Sequence, residues 1–232
     1  MKKSYFGKLY LVSTPIGNLD DITFRAAKVL KEVDGIICES TNKANILLSH
    51  YQIEKQLIHL SDENQLQIVP KILERLLSGK NLALISDAGT PVVSDPGFFL
   101  VKQAIKNDIK VIPIPGPSSI LSALIASGLP SKPFLFLGFL QKKSSEKKRL
   151  FENLSNLKIQ KEKPTIVFFE SPQRLIETLR IISQINPTAQ ISIAREMTKI
   201  YEEFIRGNLL QVLEKLKKRK EIKGEVTITI KF

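Results

Sequence analysis

Short, continuously apolar runs recur along this chain of 232 residues and are separated by longer amphipathic stretches. A run without alternating polar residues is typical of a strand that is buried on both faces, as in a parallel sheet covered by helices. Strands that alternate with helices predict an α/β protein with a largely parallel sheet. The predicted strands are LYLV (9–12), GIIC (35–38), LALI (82–85), VIPI (111–114), FLFLGFL (134–140), TIVFF (165–169), ISIA (191–194) and VTITI (226–230).

The amphipathic stretches carry helix boundaries that can be identified from the sequence. Asp62 with Gln65 resembles a capping box, and Gly79 is placed to end the helix that follows. Ser171 followed by Pro172 predicts an N-cap with proline at the first helical position. In FRAAKVLKEV, the helix after the first strand, either Asp21 or Thr23 is expected to be the cap.

Composition excludes several classes of protein. The content of 43% hydrophobic and 25% charged residues is ordinary for a globular protein. One cysteine excludes an internal disulfide framework and fits a reducing compartment. The start, MKKSYFGKLYLV, has too short an apolar run for a secretory leader, and the chain has no run of about 18 apolar residues. We therefore expect a cytoplasmic protein with no membrane partner.

The net charge of +12 is concentrated in the second half. Residues 131–232 carry 21 Lys/Arg against 11 Asp/Glu, whereas residues 1–130 carry 14 against 12. The Pro- and Gly-containing segment SGLPSKPF (127–134) coincides with this change and predicts domains 1–130 and 131–232. The dense spots are QKKSSEKKR (141–149), expected to be an exposed loop, and KLKKRK (215–220). They form either a solvated surface or a footprint for a polyanion, with nucleic acid favoured over a membrane.

Several catalytic motifs are absent from the sequence. His50 and His59 have no recognised zinc-ligand spacing with Cys38, and there is no HExxH, so we expect no metal. The GxSxG elbow, the P-loop motif and GxGxxG are also missing. Polar loops at strand ends remain as the candidate site.

Four such loops follow the first four predicted strands. In an open α/β sheet, ligands bind outside the carboxyl ends of the strands, so these loops predict a shared pocket. The loops are STPIGN (13–18), CEST (38–41), SDAGTP (86–91) and PGPSS (115–119).

The stretch SDAGTPVVSDPG (86–97) is predicted to divide into two parts. Asp87 supplies a carboxylate for a ligand, and the glycine after it allows close approach to the main chain. Asp95 and Pro96 predict an N-cap and the first helical position of the next helix. Arg25, near the start of FRAAKVLKEV, is either a solvated charge or a group aimed into the site.

The second half also has polar residues at its strand ends, in FFESPQR (168–174) and AREMTK (194–199). Glu170, Arg174, Arg195, Glu196 and Lys199 form either one wall of the cleft or a set of surface ion pairs.

Together, LYLVSTPIGNLDDITFRA, SDAGTPVVSDPG, PIPGPSS, FFESPQRL, AREMTK and KGEV resemble, in this order, the motifs of the bacterial ribosomal small-subunit RNA 2'-O-methyltransferase I family. This family lies within the tetrapyrrole methylase-like superfamily of S-adenosylmethionine enzymes. The resemblance runs from about Gly7 to the end and implies two α/β domains with the cofactor in the cleft between them, and a homodimer. It also implies that the substrate is the ribose of a cytidine in the decoding region of 16S rRNA, in free rRNA or in the small ribosomal subunit.

By position, the resemblance implies a cofactor-binding set drawn from both halves. The set is Pro15 from the first loop, Asp87, Ala88, Gly89 and Val92 from the third, and Ser118 and Ser119 from the fourth, with Phe169, Ala194 and Gly224 from the second half. Transfer of a methyl group to a 2'-hydroxyl is helped by a base, for which Glu170, Glu196 and Lys199 are the candidates. Arg25 and Arg195 are the candidates for holding substrate phosphate.

Two departures from the family pattern bear on the substrate. Where the family usually reads EDTR, this chain has Glu39-Ser40-Thr41-Asn42, and longer members carry a helical C-terminal extension beyond the position of Phe232. Two other functions fit the sequence: a methyltransferase acting on a small molecule of the tetrapyrrole type, and a non-catalytic RNA-binding protein of ribosome assembly. The loop STPIGN and the basic second half favour RNA over the tetrapyrrole, and the intact SDAGTP and PGPSS loops favour an enzyme.

Overall fold

The computed structural model describes residues 6–232. The prediction that there is no secretory leader uses residues 1–12, and the first five of these lie outside the described range. The chain divides into two compact units, Met1–Ser118 and Ser119–Phe232. Each unit has its own five-stranded sheet and its own core.

The first unit contains an entirely parallel sheet in the order β3-β2-β4-β1-β5. Its strands are β1 (Lys8–Val12), β2 (Gly35–Cys38), β3 (Leu57–His59), β4 (Leu82–Ile85) and β5 (Lys110–Ile114). Its helices are α1 (Phe24–Glu32), α2 (Thr41–His50), α3 (Gln65–Leu77) and α4 (Phe98–Lys106), with a 3-10 turn at Leu19–Asp21. The four strands predicted from apolar runs in this half are confirmed, whereas the short edge strand β3 was not predicted.

Both faces of this sheet are buried, which explains why its strands are continuously apolar. In β4, Leu82 and Leu84 lie in a cluster with the apolar faces of α3 and α4, while Ala83 and Ile85 lie in a second cluster with α1 and α2. Successive side chains of a strand point to opposite faces, so every residue of such a strand must be apolar. The carboxyl ends of the strands are left to carry the polar loops.

The predicted helix boundaries in the first unit are confirmed in part. Thr23 caps α1 by accepting the amide of Ala26 at 3.1 Å, and Gly79, at φ 93°, follows the end of α3. The capping box predicted from Asp62 and Gln65 is not formed, because the Gln65 amide group donates to the Asp62 carbonyl and α3 begins at Gln65 itself.

The cap predicted for α4 is also wrong. Gly97 is the N-cap, at φ 125°, and α4 begins at Phe98, so Asp95 and Pro96 precede the helix. A Cβ on Gly97 would lie 2.6 Å from a methyl of Leu84. Residue 97 is therefore a glycine for both backbone and packing reasons.

The second unit contains a mixed sheet in the order β6-β7-β10-β8-β9, in which only the β6–β7 pair is parallel. Its strands are β6 (Phe134–Phe139), β7 (Thr165–Glu170), β8 (Gln190–Arg195), β9 (Glu203–Asn208) and β10 (Val226–Lys231). Its helices are α5 (Ser119–Ala126), α6 (Ser144–Asn156), α7 (Pro172–Ile185) and α8 (Leu209–Lys217). The predicted parallel arrangement thus holds for the first unit and not for the second, where β10 pairs antiparallel with both β7 and β8, and β9 pairs antiparallel with β8.

Two further predictions about the second half differ from the structure. Helix α5 groups with the second unit, whereas the predicted boundary at 130/131 placed it in the first. The basic segment 141–149 is not wholly a loop, because residues from Ser144 onward form α6, whose Phe151 and Leu154 enter the second core. Ser171 and Pro172 occupy the predicted positions before and at the start of α7, although the Ser171 side chain makes no capping hydrogen bond.

Candidate functional site

All four predicted loops of the first unit lie at the carboxyl edge of its sheet, and hydrogen bonds join them. The first and third loops are paired through the main chain, since Thr14 and Gly89 exchange N–H···O bonds of 2.9 and 3.0 Å. The fourth joins them because the Thr90 hydroxyl donates to the Pro117 carbonyl at 3.3 Å. The predicted clustering of these loops is therefore present within the first unit.

Two of the glycines in these loops, Gly89 and Gly116, serve the packing between loops. Gly89 has φ 81°, and a Cβ there would lie 3.3 Å from a methyl of Ile16. A Cβ on Gly116 would lie 3.0 Å from the Cβ of Ser13. The glycines let the loops approach one another closely, and Ala88, Thr90 and Gly116 remain exposed at the outer surface.

Asp87 connects the third loop to the second. Its Oδ1 accepts the Ser40 amide at 3.1 Å, and its Oδ2 pairs with Lys43 Nζ at 3.0 Å. The side chain of Asp87 is 21% exposed and that of Lys43 is 62% exposed. The carboxylate is thus held in a defined orientation at the edge of the sheet, with part of its surface open to a ligand.

Two residues shortly after Asp87, in the stretch 86–97, have strained backbone conformations. Val92 and Ser94 have φ angles of 74° and 69°, in the left-handed region. A β-branched residue rarely adopts this conformation, and such strain costs about 1–3 kcal/mol and is found mainly at ligand-binding sites. Val92, one of the residues implied for cofactor binding, therefore lies in a segment that the rest of the unit holds in an unfavourable backbone conformation.

Three carboxylates influence one another at this edge. Burial, together with the charges of Glu39 and Asp87, raises the pKa of Asp95 to about 7. Burial and the charge of Asp87 also raise the pKa of Glu39. Lys43 acts in the opposite direction on both groups. Asp95 is thus part of an electrostatic cluster with Asp87, which the expected role as a helix cap did not suggest.

In the second unit, Glu170 is part of a buried network of charged and polar groups. Its side chain and that of Lys147 are both fully buried and are joined by an ion pair of 3.2 Å. The same carboxylate accepts the Thr178 hydroxyl and the Ser171 amide, and Arg174 lies beside it with Nη2 at 2.6 Å. Burial raises the pKa of Glu170, but these hydrogen bonds outweigh it and the pKa is lowered.

The remaining candidates for the base are also engaged by neighbours. Lys199 donates to Glu196 at 2.9 Å and to Glu225 at 3.1 Å. The hydrogen bond from Lys199, and after it the hydrogen bond from the Glu225 amide, lowers the pKa of Glu196. Burial lowers the pKa of Lys199, but its carboxylate partners Glu196 and Glu225 outweigh burial, so the pKa of Lys199 is raised. A general base works best when its pKa lies near the operating pH, so the geometry gives neither Glu196 nor Lys199 nor Glu170 this property.

Arg195 is held by a similar set of contacts. Its Nε donates to Glu203, and its other nitrogens donate to the carbonyls of Tyr201 and Lys223. Such a guanidinium stabilises the loops around β8 and β9. By contrast, Arg25, the other residue predicted to hold phosphate, is exposed on the first turn of α1 in the other unit.

The residues implied for cofactor binding in the second unit are neighbours in the sheet. Phe169 of β7 and Ala194 of β8 both pair with Thr227 of β10, so the three side chains form a row on one face. Gly224 lies just before β10 at φ 90°, and a Cβ there would lie 2.4 Å from the Glu196 carboxylate. Of the two serines in the fourth loop, Ser118 ends the first unit and Ser119 begins α5.

Comparison with known proteins identifies the family. The family model "Tetrapyrrole (Corrin/Porphyrin) Methylases" matches residues 8–213. The chain is 46% identical over 226 residues to the ribosomal RNA small subunit methyltransferase I of Hydrogenobaculum sp. (strain Y04AAS1), covering 96% of this chain and 95% of that relative. It is 45% identical over 228 residues to the same-named protein of Bacillus subtilis (strain 168), covering 98% of this chain and 76% of that relative. The chain belongs to the ribosomal RNA small subunit methyltransferase I family.

A solved structure supports the fold. The uroporphyrin-III C-methyltransferase of Thermus thermophilus, complexed with S-adenosylhomocysteine, matches with a TM-score of 0.65 at 18% identity, covering 96% of this chain and 97% of that one. The chain therefore has the tetrapyrrole methylase fold. Within residues 6–232, no helix is long and apolar enough to cross a membrane, and no three His, Cys, Asp or Glu side chains form a group that could hold a metal ion.

The structure also clarifies how the chain departs from the usual EDTR of the methyltransferase I family. Ser40 caps α2 by accepting the amide of Lys43 and also donates its own amide to Asp87. The chain has no basic side chain at Asn42, but Lys43, one residue later, places its ammonium on the Asp87 carboxylate. A cation is thus present beside this loop, at a different position along α2.

Two residues that the structure places at these sites, Lys43 and Lys147, belong to no motif that distinguishes them from the other lysines of the sequence. The sequence offered one usable signal: Lys147 follows Lys143 by four residues and precedes Phe151 by four, a helical spacing that places it on the buried face of α6.

Proposed function

We propose that this chain is an S-adenosylmethionine-dependent methyltransferase that modifies the RNA of the small ribosomal subunit, at the ribose 2'-oxygen of a cytidine in the decoding region of 16S rRNA. Membership of the methyltransferase I family supports the coarser part, methylation of this RNA. The observation that carries the proposal is the joining of all four loops at the carboxyl edge of the first sheet, around the oriented carboxylate of Asp87.

The residues at this edge fit such a cofactor by their chemistry. An ionised carboxylate has about four lone-pair sites, and Ser40 and Lys43 occupy one on each oxygen of Asp87, so sites remain for ligand hydroxyls or an amine. Ala88 and Thr90, which are exposed at the same edge, add a backbone amide and a hydroxyl. When bound, S-adenosylmethionine supplies an activated methyl group.

The chain's own residues then have two tasks. One is to align the acceptor oxygen, because a well-oriented reaction gains about 7–11 kcal/mol over a random encounter. The other is to receive or conduct the proton of the 2'-hydroxyl. We assign the first task to the strained loop 86–94, and we assign the second to no residue, since the three candidates in the second unit have unsuitable pKa values.

The cofactor part of the proposal can be tested with one pair of variants. Asp87→Ala is expected to weaken S-adenosylmethionine binding at least tenfold in isothermal titration calorimetry, because a charged hydrogen-bond acceptor is worth about 1.5–3 kcal/mol. Asp108→Ala, which removes an exposed carboxylate of the same unit, is the control. Equal affinities for wild type and Asp87→Ala would exclude this edge as the cofactor site.

The substrate part needs a separate test. Small subunits that lack the modification are incubated with the chain and labelled cofactor, and their RNA is digested to nucleosides and analysed by mass spectrometry. We expect 2'-O-methylcytidine. A methyl group on a base, or transfer only to a tetrapyrrole, would refute the ribose assignment. The homodimer implied by the resemblance stays a prediction, which sedimentation velocity tests.

A further inference from the structure

A groove of about 550 Å³ in the second unit, which we call the Phe139 groove, lies where β6 ends and where α6 and α7 begin. Its lining includes Phe139, Gln141, Lys142, Lys143, Glu146 and Arg174, with the apolar Leu140 between the first two. The lining therefore combines three cations, one carboxylate and an aromatic ring. None of these residues belongs to the cofactor-binding set implied by the resemblance.

Phe139 presents an open aromatic surface. Its side chain is 62% exposed, although its ring lies 5.2 Å from the ring of Phe169, which limits its motion. An exposed large apolar side chain is common by itself and needs no explanation. An exposed ring that is packed on one neighbour and shares a groove with three cations is, however, the kind of arrangement on which unpaired bases stack.

Arg174 is fixed beside this ring by the buried network around Glu170. Its Nε and Nη2 lie 2.7 and 2.6 Å from Glu170 Oε1, so one edge of the guanidinium is used. The other edge, at Nη1, is not engaged by that carboxylate. A fixed guanidinium edge matches the oxygens of a phosphate group better than a mobile ammonium does.

Burying the charges of the Glu170 network costs solvation free energy, so its presence calls for an explanation other than stability. Glu170 and Lys147 are fully buried, and a buried ion pair is often no more stable than apolar side chains of similar size. Stability alone therefore does not account for it. Its visible result is an arginine held at the wall of the Phe139 groove.

The two lysines can add charge without rearrangement of the fold. Lys143 pairs with Glu146 at 3.5 Å, but the two side chains are 78% and 46% exposed. Exposed pairs of this kind are worth little and exchange readily for another anion. Lys142 is exposed beside them.

We propose that the Phe139 groove is a subsite for single-stranded RNA, in which a base stacks on Phe139 and the adjoining phosphate binds Arg174 and Lys143. This inference rests on the proposed function, because it assigns a place for the RNA substrate. Sequence-specific RNA recognition usually targets unpaired nucleotides, whose bases are free to stack on aromatic side chains.

The test measures affinity for a short fluorescent single-stranded oligoribonucleotide by anisotropy over a range of salt concentrations. Phe139→Ala is expected to weaken binding about 5- to 150-fold, the range for losing one stacked base. Phe134→Ala, on the same strand and 41% exposed, is the control and is expected to leave affinity unchanged.

The phosphate contacts are tested by charge. Arg174→Gln and Lys143→Gln are each expected to lower the slope of log affinity against log salt by about 1. Lys158→Gln and Lys161→Gln remove the same charge from exposed positions outside the groove and are expected to leave the slope near the wild-type value. Arg174→Lys keeps the charge and guards against misfolding of the glutamine variant, which thermal melting also monitors.

The outcomes separate this inference from the proposed function. If the wild type methylates small subunits while groove and control variants bind RNA equally, the subsite is overturned and the proposed function stands. If the wild type binds S-adenosylmethionine but neither binds nor methylates RNA, both are overturned. If poly-glutamate is bound as well as RNA and is lost in the same variants, the groove is a general anion surface and the RNA assignment is wrong.

Discussion

Replacing Asp95 with asparagine is expected to stabilise the protein at neutral pH. The Asp95 carboxyl lies among Glu39, Asp87 and Lys43, and burial, aided by the two acids, raises its pKa from 3.8 to about 7. A group whose pKa is higher in the folded state binds its proton more tightly there, so ionising it destabilises the fold. Asparagine has nearly the same shape and carries no charge.

The magnitude follows from the size of the rise. A rise from 3.8 to about 7 corresponds to about 4 kcal/mol, and solvent screening at this partly exposed site reduces that to about 1–2 kcal/mol. The penalty is fully present above pH 7, decreases as the pH falls through 7, and vanishes below about 4, where the carboxyl is protonated in both states.

The assay is differential scanning calorimetry of wild type and Asp95→Asn from pH 4 to pH 8. Because about 1 kcal/mol shifts Tm by about 2–4 °C in a protein of this size, we expect Tm to rise by about 2–8 °C at pH 8 and by almost nothing at pH 4. Asp108→Asn removes the same charge from an exposed turn and serves as the control. A Tm gain for Asp95→Asn that is the same at both pH values would refute the reasoning.

Three further substitutions probe the second unit. Lys147→Met is expected to lower the free energy of unfolding by about 1.5–3 kcal/mol, because the buried Glu170 carboxylate loses one charged partner while Arg174 remains beside it. Lys147→Met combined with Glu170→Gln should recover part of that loss in urea unfolding, and no recovery would contradict the pairing. Glu203→Gln is expected to lower the free energy of unfolding at pH 7 by about 1–2 kcal/mol, a value that allows for solvent screening of the partly exposed pair. The reason is that the hydrogen bond from Arg219, more than any other contact, lowers the pKa of Glu203 to about 2. This difference should fade as the pH falls from 4.5 towards 2, and a constant difference in calorimetry would argue against it. Thr229→Val is expected to raise the free energy of unfolding by about 1 kcal/mol, because the Thr229 hydroxyl is buried without a hydrogen-bond partner among the described residues. A lower Tm in thermal melts would show that the hydroxyl does have a hydrogen-bond partner.

The sequence predicted strands well where burial alone decides them. The four central or long strands of the first unit are continuously apolar because helices cover both faces of the sheet. Strand β3 was missed because it is a three-residue edge strand of intermediate burial. Strand β9, EFIRGN, was missed because it is also an edge strand and mixes charged, apolar and glycine residues.

The errors in the candidate site have a common physical origin. Asp95 before a proline has the local pattern of a helix cap. The N-cap of α4 is instead Gly97, two residues later and at positive φ, so the helix begins only at Phe98. The pattern around Glu170 could not reveal that Lys147, from a distant helix, would share its burial. Local rules predicted which loops reach the sheet edge, whereas the protonation and pairing of their side chains depend on neighbours far away in sequence.

Cys38 provides a built-in probe of motion in the first unit. It is the one cysteine of the chain, lies at the end of β2 between β3 and β4, and is 1% exposed. Burial, with the charge of Asp87, raises the pKa of its thiol to about 11. The thiolate is the form that attacks a thiol reagent, and the buried, protonated thiol of Cys38 cannot do so, so labelling requires the sheet to open. The rate of labelling therefore counts opening events at one known position, with no engineered tag.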